Sequence, residues 1–443
     1  MTTTTHDKRP GIVRTVIDNS GLLIAGALIA LIWANWAASV GSDSYHHVFD
    51  FDLTSLWSGN SHTVEASAAP VVDANDDHTD GHSGGHHGLT VHFVINDILM
   101  ALFFAIAAKE VWESLLPGGA LSNPRKAATP LLATVGGILG PVAVYLGMAF
   151  ASGGDAFATF KDGWAVPCAT DIAFSYLVAR MLFGASHPAI AFLLLLAIAD
   201  DAAGLVILAV FYPQDAIQPQ WLLLTLGAIA LGFAMRKWKV QSHLAYLIGP
   251  GLLSWFSFYE ANIHPALGLV PIIPTLPHAH TDLGLFAREE LQRDDTLNAF
   301  EHFWKTPVEF FLGLFGLANA GVVMSSVGTG TWLVLGGLLI GKPLGITLMT
   351  LLAEKGFGLE KPASMTYRHV ATLGMIAGIG FTVALFVSVA AFTTPGAVQD
   401  SVKMGALLSF GAAPLAFAMA KVLGIKAVKE TTGQSPAVVQ QAA

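Results

Sequence analysis

Long apolar stretches alternate with short polar connections along almost the whole chain. Twelve stretches reach or approach the length that a helix needs to cross the hydrocarbon core of a bilayer. They cover residues 20–40, 92–115, 127–150, 164–183, 187–212, 219–235, 242–258, 261–275, 305–324, 331–353, 369–392 and 402–424. The pattern predicts an all-α polytopic membrane protein with about twelve transmembrane helices.

The basic residues fall in alternate connections, and this predicts the orientation of the helices. Lys and Arg collect on the cytoplasmic side of membrane proteins. With a cytoplasmic N-terminus, all of the 22 Lys and Arg residues lie on that side except Lys109, Lys161, Lys342 and Lys403. Both termini are therefore expected to be cytoplasmic.

The connection after the first predicted span is much longer than the others. Residues 42–90 contain eight Asp or Glu and seven His but no Lys or Arg, so we expect an outer loop. The spacing of His78, His82 and His86 would suit a transition metal, but no closed ligand set is evident and a low-complexity loop is the simpler interpretation. Within this loop, VFDFDLTSLW alternates apolar and polar residues and predicts a short hairpin.

The chain divides into one membrane domain and two polar ends. Residues 1–19 are expected to be a cytoplasmic N-terminus without a cleavable signal, because the first apolar stretch is long enough to span. Residues 20–425 form the predicted transmembrane domain. Residues 426–443 are expected to be a disordered cytoplasmic tail.

Composition agrees with this organisation. Of 443 residues, 53% are hydrophobic and only 12% are charged, and the mean hydropathy of +0.60 is too high for an ordinary soluble domain. The net charge of −9 does not favour nucleic acid as a partner, since the acidic residues are divided between the outer loop and the spans. Cys168 is the single cysteine, which excludes an internal disulfide and a multi-cysteine metal site.

Ionisable residues inside the predicted spans are the strongest functional signal. A charge at the bilayer centre costs at least about 2.5 to 3.5 kcal/mol. Asp200 and Asp201 are adjacent in the middle of a span, in AIADDAAGLVIL, and they also repel each other. The other candidates are Asp97, Asp171, His264 and Lys342. Each of these others has the alternative of pairing with a neighbouring helix and holding the bundle together.

Two predicted spans should be interrupted. The fourth contains Pro167 shortly before Thr170 and Asp171, and the eleventh contains three glycines in LGMIAGIGFT. Matched interrupted segments in the two halves of a chain are typical of a transporter with a mid-membrane ion site. Asp171 would offset the positive ends of the half-helices and Lys342 the negative ends.

Several strings occur in an order that resembles a known family. They are INDILMALFF, GWAVPCATDIAF, LAIADDAAGLVILAVFY, LFGLANAGV, IGKPLGI and GIGFT. From about residue 15 to residue 425 the chain resembles the bacterial sodium/proton antiporter family NhaA. The resemblance implies inverted repeats whose interrupted helices cross at mid-membrane. It further implies electrogenic, pH-regulated export of Na+ and Li+ in exchange for protons across the inner membrane, without a cofactor.

The resemblance also implies roles for individual residues. Asp201 would be the principal cation ligand and Asp200 the companion carboxylate. Lys342 would pair with Asp200. Thr170 and Asp171 would lie where the interrupted helices cross.

A second group of residues is implied in the response to pH. Asp97 matches an acidic position on the second span, and His264 matches a histidine linked to that response. Glu110 and Glu301 match acidic positions near the cytoplasmic funnel.

The chain departs from the family pattern at two places. It reads AAKEVWESLLPGG, with Lys109 before Glu110 and Trp112 where a lysine is usual, which puts cytoplasmic pH sensing in doubt. The outer loop is also much longer than in the family, where it makes a dimerising hairpin. A homodimer is therefore expected only if VFDFDLTSLW supplies the hairpin.

Three other functions fit parts of the sequence. A carrier of another small solute, such as an organic anion, would want a fixed cation at the midplane, where only Lys342 is available. An intramembrane aspartyl protease is disfavoured, because adjacent residues project about 100° apart on a helix. No HExxH motif of a metalloprotease occurs, and an enzyme is not predicted. A channel would differ from a carrier in its turnover rate and in the absence of coupled proton flux.

Overall fold

Helices make up nearly all of the described part of the chain. The structure is a computed structural model that describes residues 21–55, 89–184, 186–278, 295–359, 361–362 and 364–425. In these ranges no strand is found, and a single isolated antiparallel bridge joins Asp52 to Thr90. The helices are α1 (Gly21–Ser39), α2 (Ser44–Phe49), α3 (Val91–Leu115), α4 (Pro124–Ala151), α5 (Gly154–Cys168), α6 (Ile172–Phe183), α7 (Pro188–Phe211), α8 (Pro219–Lys237), α9 (243–260), α10 (Pro265–Thr275), α11 (Thr296–Asn319), α12 (Thr329–Phe357), α13 (Tyr367–Ala377), α14 (Phe381–Ala391) and α15 (Ala397–Val422).

The helices have the length and composition of a polytopic membrane protein. Within the described residues, α1, α3, α4, α7, α8, α12 and α15 are each long and apolar enough to cross a membrane. The seven spans become nine if the bent pairs α5/α6 and α13/α14 each count as one. The predicted all-α polytopic class is confirmed, whereas the count of twelve stays a prediction. The remaining predicted spans fall on α9, α11 and the short apolar helix α10.

Large apolar side chains face outward from the bundle. Leu223 and Leu226 on α8 are 69% and 61% exposed, and Val206 and Val210 on α7 are similarly exposed. Such a surface would be unfavourable in water but suits contact with acyl chains. The helices satisfy their backbone hydrogen bonds internally, as a lipid environment requires.

Both predicted interruptions are confirmed. The axes of α5 and α6 meet at 55°, and those of α13 and α14 at 51°. Pro167 lies in the last, 3-10, turns of α5, and the chain is extended from Ala169 to Asp171. The second break requires glycine, because a Cβ on Gly378 would lie 2.6 Å from the carbonyl oxygen of Leu338.

Glycines bring α4 and α12 into backbone contact. A Cβ on Gly345 would lie 2.0 Å from the carbonyl oxygen of Gly136, and one on Gly140 would lie 2.3 Å from that of Gly341. The approach has the small-xxx-small spacing that is typical of close helix pairs in membranes. Since Lys342 lies between the two glycines of α12, this contact fixes the position of the segment that carries it.

The start of the outer loop is helical and is anchored to the end of α11. The Tyr45 hydroxyl on α2 lies 2.7 Å and 2.8 Å from the carbonyl oxygens of Leu317 and Ala318, to which it donates. It also accepts the N–H of Gly321 at 3.1 Å. Burial raises the pKa of the Tyr45 phenol, so the group remains a donor. Tyr45 thereby ties the loop to the chain that follows α11.

The predicted hairpin in VFDFDLTSLW is wrong for residues 48–55. Phe49 ends α2, and Asp52 pairs with Thr90 at the far end of the loop rather than with a neighbour. The polar residues of this segment satisfy a local turn instead, with Thr54 donating to the Asp52 carboxylate at 2.8 Å. His78, His82 and His86 lie outside the described residues, as do the predicted N-terminal segment 1–19 and the predicted tail 426–443.

The glycine contact between α4 and α12 predicts a stability effect. Gly345→Ala should lower the free energy of unfolding by about 1 to 3 kcal/mol, because the added methyl group meets rigid backbone. Thermal unfolding in detergent, followed by tryptophan fluorescence, would measure the change. Gly147→Ala is the matched control, since that α4 glycine has nothing within 4 Å of an added Cβ. Equal melting temperatures for the two variants would contradict this explanation.

Candidate functional site

The two interrupted helices cross and bond to each other through their broken backbone. The N–H of Asp171 donates to the carbonyl of Ile379 at 2.7 Å. The Thr170 hydroxyl lies 3.1 Å from the carbonyl oxygen of Ala377, the last residue of α13. These bonds satisfy backbone groups that the breaks release and that lipid could not satisfy. They also bring four half-helix ends to one place.

Asp171 lies at the positive ends of two half-helices. Its Oδ1 accepts the N–H of Phe174 at 3.3 Å and so caps α6. Its Oδ2 accepts the N–H of Thr382 at 3.3 Å, in the first turn of α14, and also the Thr382 hydroxyl. A carboxylate in this position is stabilised by both helix dipoles. The arrangement agrees with the prediction that Asp171 offsets the positive ends of the half-helices.

Lys342 lies at the negative end of another half-helix. Its side chain has no exposed surface, and its ammonium donates to the carbonyl oxygen of Cys168, the last residue of α5. It also forms an ion pair with Asp200, with Nζ 2.8 Å from Oδ2. A buried ammonium is tolerable with such a carboxylate and an additional acceptor.

The aspartate pair lies beside this crossing, on α7. Asp200 is 2% exposed, and its Oδ2 accepts from Lys342 and, at 2.8 Å, from the Thr170 hydroxyl. Asp201 is the less buried of the two. Among the described residues, the buried Oδ1 atoms of Asp200 and Asp201 have no hydrogen-bond partner. Buried carboxylate oxygens without partners favour binding of a proton or a small cation.

A cavity adjoins Asp200 on the side toward the C-terminal end of α7. It is small, with a volume of about 10 Å³, and its lining includes Cys168, Gly204, Ile207 and Val383. Apart from Asp200, the lining is mostly apolar. The cavity therefore gives the Asp200 carboxylate mostly apolar surroundings on this side.

A second charged cluster connects α3 with α11. Lys109 is 4% exposed and pairs with Glu113 at 2.6 Å and with Glu301. Glu110 follows it on α3 and is half-buried, and Lys305 lies 4.0 Å from Glu301. The structure thus places Glu301 in contact with Lys109, the residue that precedes Glu110. The sequence analysis did not include Lys109 and Glu113 among the site residues, although their i,i+4 spacing on a helix predicts an ion pair.

Asp97 and His264 form a third, separate group. Asp97 Oδ1 lies 3.4 Å from His264 Nδ1, and the Trp255 indole donates to the Asp97 carbonyl at 2.9 Å. Among the described residues, no hydrogen bond or ion pair joins this group to the aspartate pair. The sequence analysis left open a purely structural role for both residues, in which they pair between neighbouring helices and hold the bundle together. The contact between them agrees with that alternative.

Thr382 is a site residue that sequence reasoning missed. It bonds to Asp171 through both its hydroxyl and its N–H. The signal was the threonine that ends GIGFT, two residues after the last glycine of the break. In the described part of the chain no group of three or more His, Cys, Asp and Glu residues is arranged to hold a metal ion.

Comparisons with known proteins agree with this architecture. The sequence model of the family described as Na+/H+ antiporter 1 matches residues 12–421. A protein of Jannaschia sp. (strain CCS1) named Na(+)/H(+) antiporter NhaA is 48% identical over 424 residues, covering 91% of this chain and 96% of the relative. Proteins of the same name from Geotalea uraniireducens (strain Rf4) and Desulfitobacterium hafniense (strain DSM 10664 / DCB-2) are 48% and 47% identical, covering 91% and 92% of this chain and 95% of each relative. With its crossed interrupted helices and its buried aspartate pair, the chain belongs to the Na+/H+ antiporter 1 family.

Proposed function

We propose that the protein is a secondary antiporter that exchanges Na+ for protons at Asp200 and Asp201. The observation that carries the proposal is the pair of adjacent buried carboxylates in which each has one oxygen without a partner among the described residues. Family membership and the names of the relatives support the same exchange. As in those antiporters, the activity is transport and not enzymatic catalysis.

Competition for the same oxygens is sufficient to couple the two fluxes. Oxygen ligands suit a hard monovalent cation, and desolvated carboxylates also hold protons readily. If access alternates only when the pair is occupied by a cation or by protons, each outward Na+ is matched by inward protons. Li+ binds the same kind of ligand and is proposed as a second cargo.

Lys342 couples the charge of the site to its occupancy. In the cation-free state its ammonium neutralises Asp200. When a cation takes both carboxylates, Lys342 loses its partner, and a buried ammonium without a partner is costly. Its proton then leaves, and a proton returns when the cation departs. If Asp201 also holds a proton in the cation-free state, two protons move for each cation, which makes the exchange electrogenic.

Thr170 and Asp171 hold the crossing in the arrangement that this exchange needs. Thr170 bonds to the Asp200 carboxylate and to the end of α13 at the same time. Asp171 keeps two helix N-termini together at the centre of the membrane. A rearrangement at the cation ligands is thereby transmitted to both interrupted helices.

The charged cluster of Lys109, Glu110, Glu113 and Glu301 is proposed to regulate the exchange by pH. Lys109 joins α3 to α11 through carboxylates at the predicted cytoplasmic end. Protonation of these carboxylates would weaken that connection. Asp97 and His264 are proposed as a second responsive pair near the predicted outer end.

The chain is an integral membrane protein, and its bacterial relatives indicate the plasma membrane. We propose that residues 20–425 form the antiporter domain, that both termini are cytoplasmic and that lipid contacts the exposed apolar side chains. A homodimer stays a prediction, and residues 48–55 do not form the hairpin on which it depended. Transport of an organic anion is disfavoured, because the Lys342 ammonium is already engaged by Asp200 and Cys168.

The proposed cation ligand can be tested by removing its charge. Asp201→Asn should abolish Na+-dependent proton movement, since one of the two carboxylates that neutralise the cation is lost. The measurement is Na+-induced dequenching of a pH-sensitive dye in everted membrane vesicles. Asp215→Asn, in an exposed connection, is the matched control and should behave as the parent protein. Normal dequenching with Asp201→Asn would refute the assignment.

The proposed role of Lys342 predicts a change in stoichiometry. Lys342→Ala should give weaker exchange with fewer protons per cation, because the variant cannot carry the lysine proton. The measurement is the dependence of exchange on membrane potential, set with a potassium gradient and valinomycin. Lys355→Gln removes an exposed charge from the same helix and serves as the control. Unchanged voltage dependence in Lys342→Ala would argue against lysine as a charge carrier.

The cluster around Lys109 predicts a shift in pH dependence. In Lys109→Ala, Glu113 and Glu301 lose their shared cation, and protonation relieves their repulsion at higher pH than in the parent protein. The pH of half-maximal exchange should therefore move to the alkaline side. Vesicle assays over a pH series would measure it, with the exposed Lys237→Ala as control. An identical profile in Lys109→Ala would remove this cluster from regulation.

A further inference from the structure

Two histidines that take no part in the proposed exchange meet at the N-terminal ends of α7 and α13. Nδ1 of His187 accepts the N–H of Ala189 at 3.0 Å and caps α7. Nδ1 of His369 accepts the N–H of Thr366 at 3.2 Å and completes a capping box at the start of α13. The centroids of the two imidazole rings are 4.9 Å apart, with the ring planes at 78°. Phe183 contacts both rings, at 5.4 Å and 5.9 Å between centroids.

α7 and α13, whose N-terminal ends these histidines cap, both extend to the proposed ion site. α7 carries Asp200 and Asp201 about three turns further along. α13 ends at Ala377, whose carbonyl accepts the hydroxyl of Thr170. Because a helix is stiff, a displacement at its capped end is transmitted to its far end. The contact between the histidines therefore bears on the geometry of the aspartate pair and the crossing.

Both caps require neutral imidazoles. A neutral ring offers one nitrogen as an acceptor, whereas a protonated ring has only donors. Protonation would thus remove the bond to each backbone N–H, place a cation at the positive end of a helix, and bring two cations close together. Burial and the charge of His369 both lower the pKa of His187 from its ordinary value. The neutral pair is present at neutral and alkaline pH and is lost as the pH falls through that lowered pKa.

The surrounding charges do not stabilise the protonated pair. Charged residues on the packed elements include Lys109, Glu110 and Glu113 on α3, Arg180 on α6, Arg368 on α13, Lys421 on α15, and Glu354, Lys355 and Lys361 at or after the end of α12. Arg368 donates to the carbonyl of Leu423, and Glu354 accepts from Lys361 at 2.6 Å and from Tyr367. Within the described ranges, no carboxylate forms a hydrogen bond or ion pair with His187 or His369.

We propose that His187 and His369 are positioning residues that hold the ends of α7 and α13 together at neutral and alkaline pH and release them in acid, lowering antiport there. The inference rests on the proposed function and adds a regulatory element to the same site. The basic residues predict that this contact faces the cytoplasm, so it would respond to internal acidification.

The first test keeps both caps and removes the titration. In His187→Asn with His369→Gln, an amide oxygen replaces each accepting nitrogen, as asparagine does at N-caps and glutamine in capping boxes. Exchange in vesicles at about pH 8.5 should match the parent protein, and the acid limb of the pH profile should move down by about half a unit or more. His47→Gln, at an exposed position on α2, is the control. An acid limb identical to that of the parent protein would overturn the proposal.

The second test removes the caps. His187→Ala with His369→Ala should mimic the acid state and raise the apparent KM for Na+ at alkaline pH by roughly fivefold, the factor that corresponds to a lost helix cap. The maximal rate should change less, because the carboxylates themselves remain. The Asn and Gln variant should restore the KM of the parent protein. An unchanged KM in the double alanine variant would count against a positioning role.

A third measurement does not depend on transport. Hydrogen–deuterium exchange of residues 187–191 and 366–370, corrected for intrinsic rates, should accelerate in the parent protein between about pH 7.5 and about pH 5.5 but not in the Asn and Gln variant. Exchange that does not respond to pH in the parent protein would refute the release. If the parent protein showed this response but no Na+-dependent proton movement, the proposed function would fail and the histidine pair would stand.

Discussion

The ion pair between Lys342 and Asp200 constrains the rest of the structure. A fully buried ammonium is stable in a membrane protein only when a carboxylate and further acceptors surround it. Asp200 and the Cys168 carbonyl meet that requirement, and the carbonyl is available because α5 ends there. The interruption of the helix is therefore part of what stabilises the charge. The neighbouring Asp201 lies beside the pair without a cation of its own among the described residues.

The electrostatic arrangement at the crossing is balanced by backbone as much as by side chains. Asp171 lies at two helix N-termini, and Lys342 lies at a helix C-terminus, so that each charge faces dipole ends of opposite sign. The Thr170 hydroxyl donates to Asp200, and the Thr382 hydroxyl donates to Asp171. With these charges paired in this way, the unpartnered Oδ1 atoms of Asp200 and Asp201 are the acceptors that we propose for the cargo.

Much of this arrangement could be predicted from sequence because a membrane restricts which backbone structures can cross it. Apolar length predicted the helices, and Pro167 and the glycines at 374, 378 and 380 predicted the breaks, since each has a direct local cause. The contact of Lys109 with Glu301 could not be predicted, because the two residues are distant in sequence and only the tertiary packing of α3 on α11 brings them together. Alternation in VFDFDLTSLW gave a wrong hairpin: Tyr45 and Phe49 pack against Trp33 on α1, and tertiary contacts override the local pattern. The twelve-span count stays a prediction, since α10 is shorter than a full crossing.

The contact between α4 and α12 has a mechanical consequence. Four glycines put backbone against backbone where the two helices approach most closely. Packed interfaces of this kind have few alternative arrangements and move as one rigid body. The lysine of the site therefore travels with α4 as well as with its own helix. We therefore expect any sliding that accompanies the proposed exchange to take place at other interfaces, with these two helices as the frame against which other elements move.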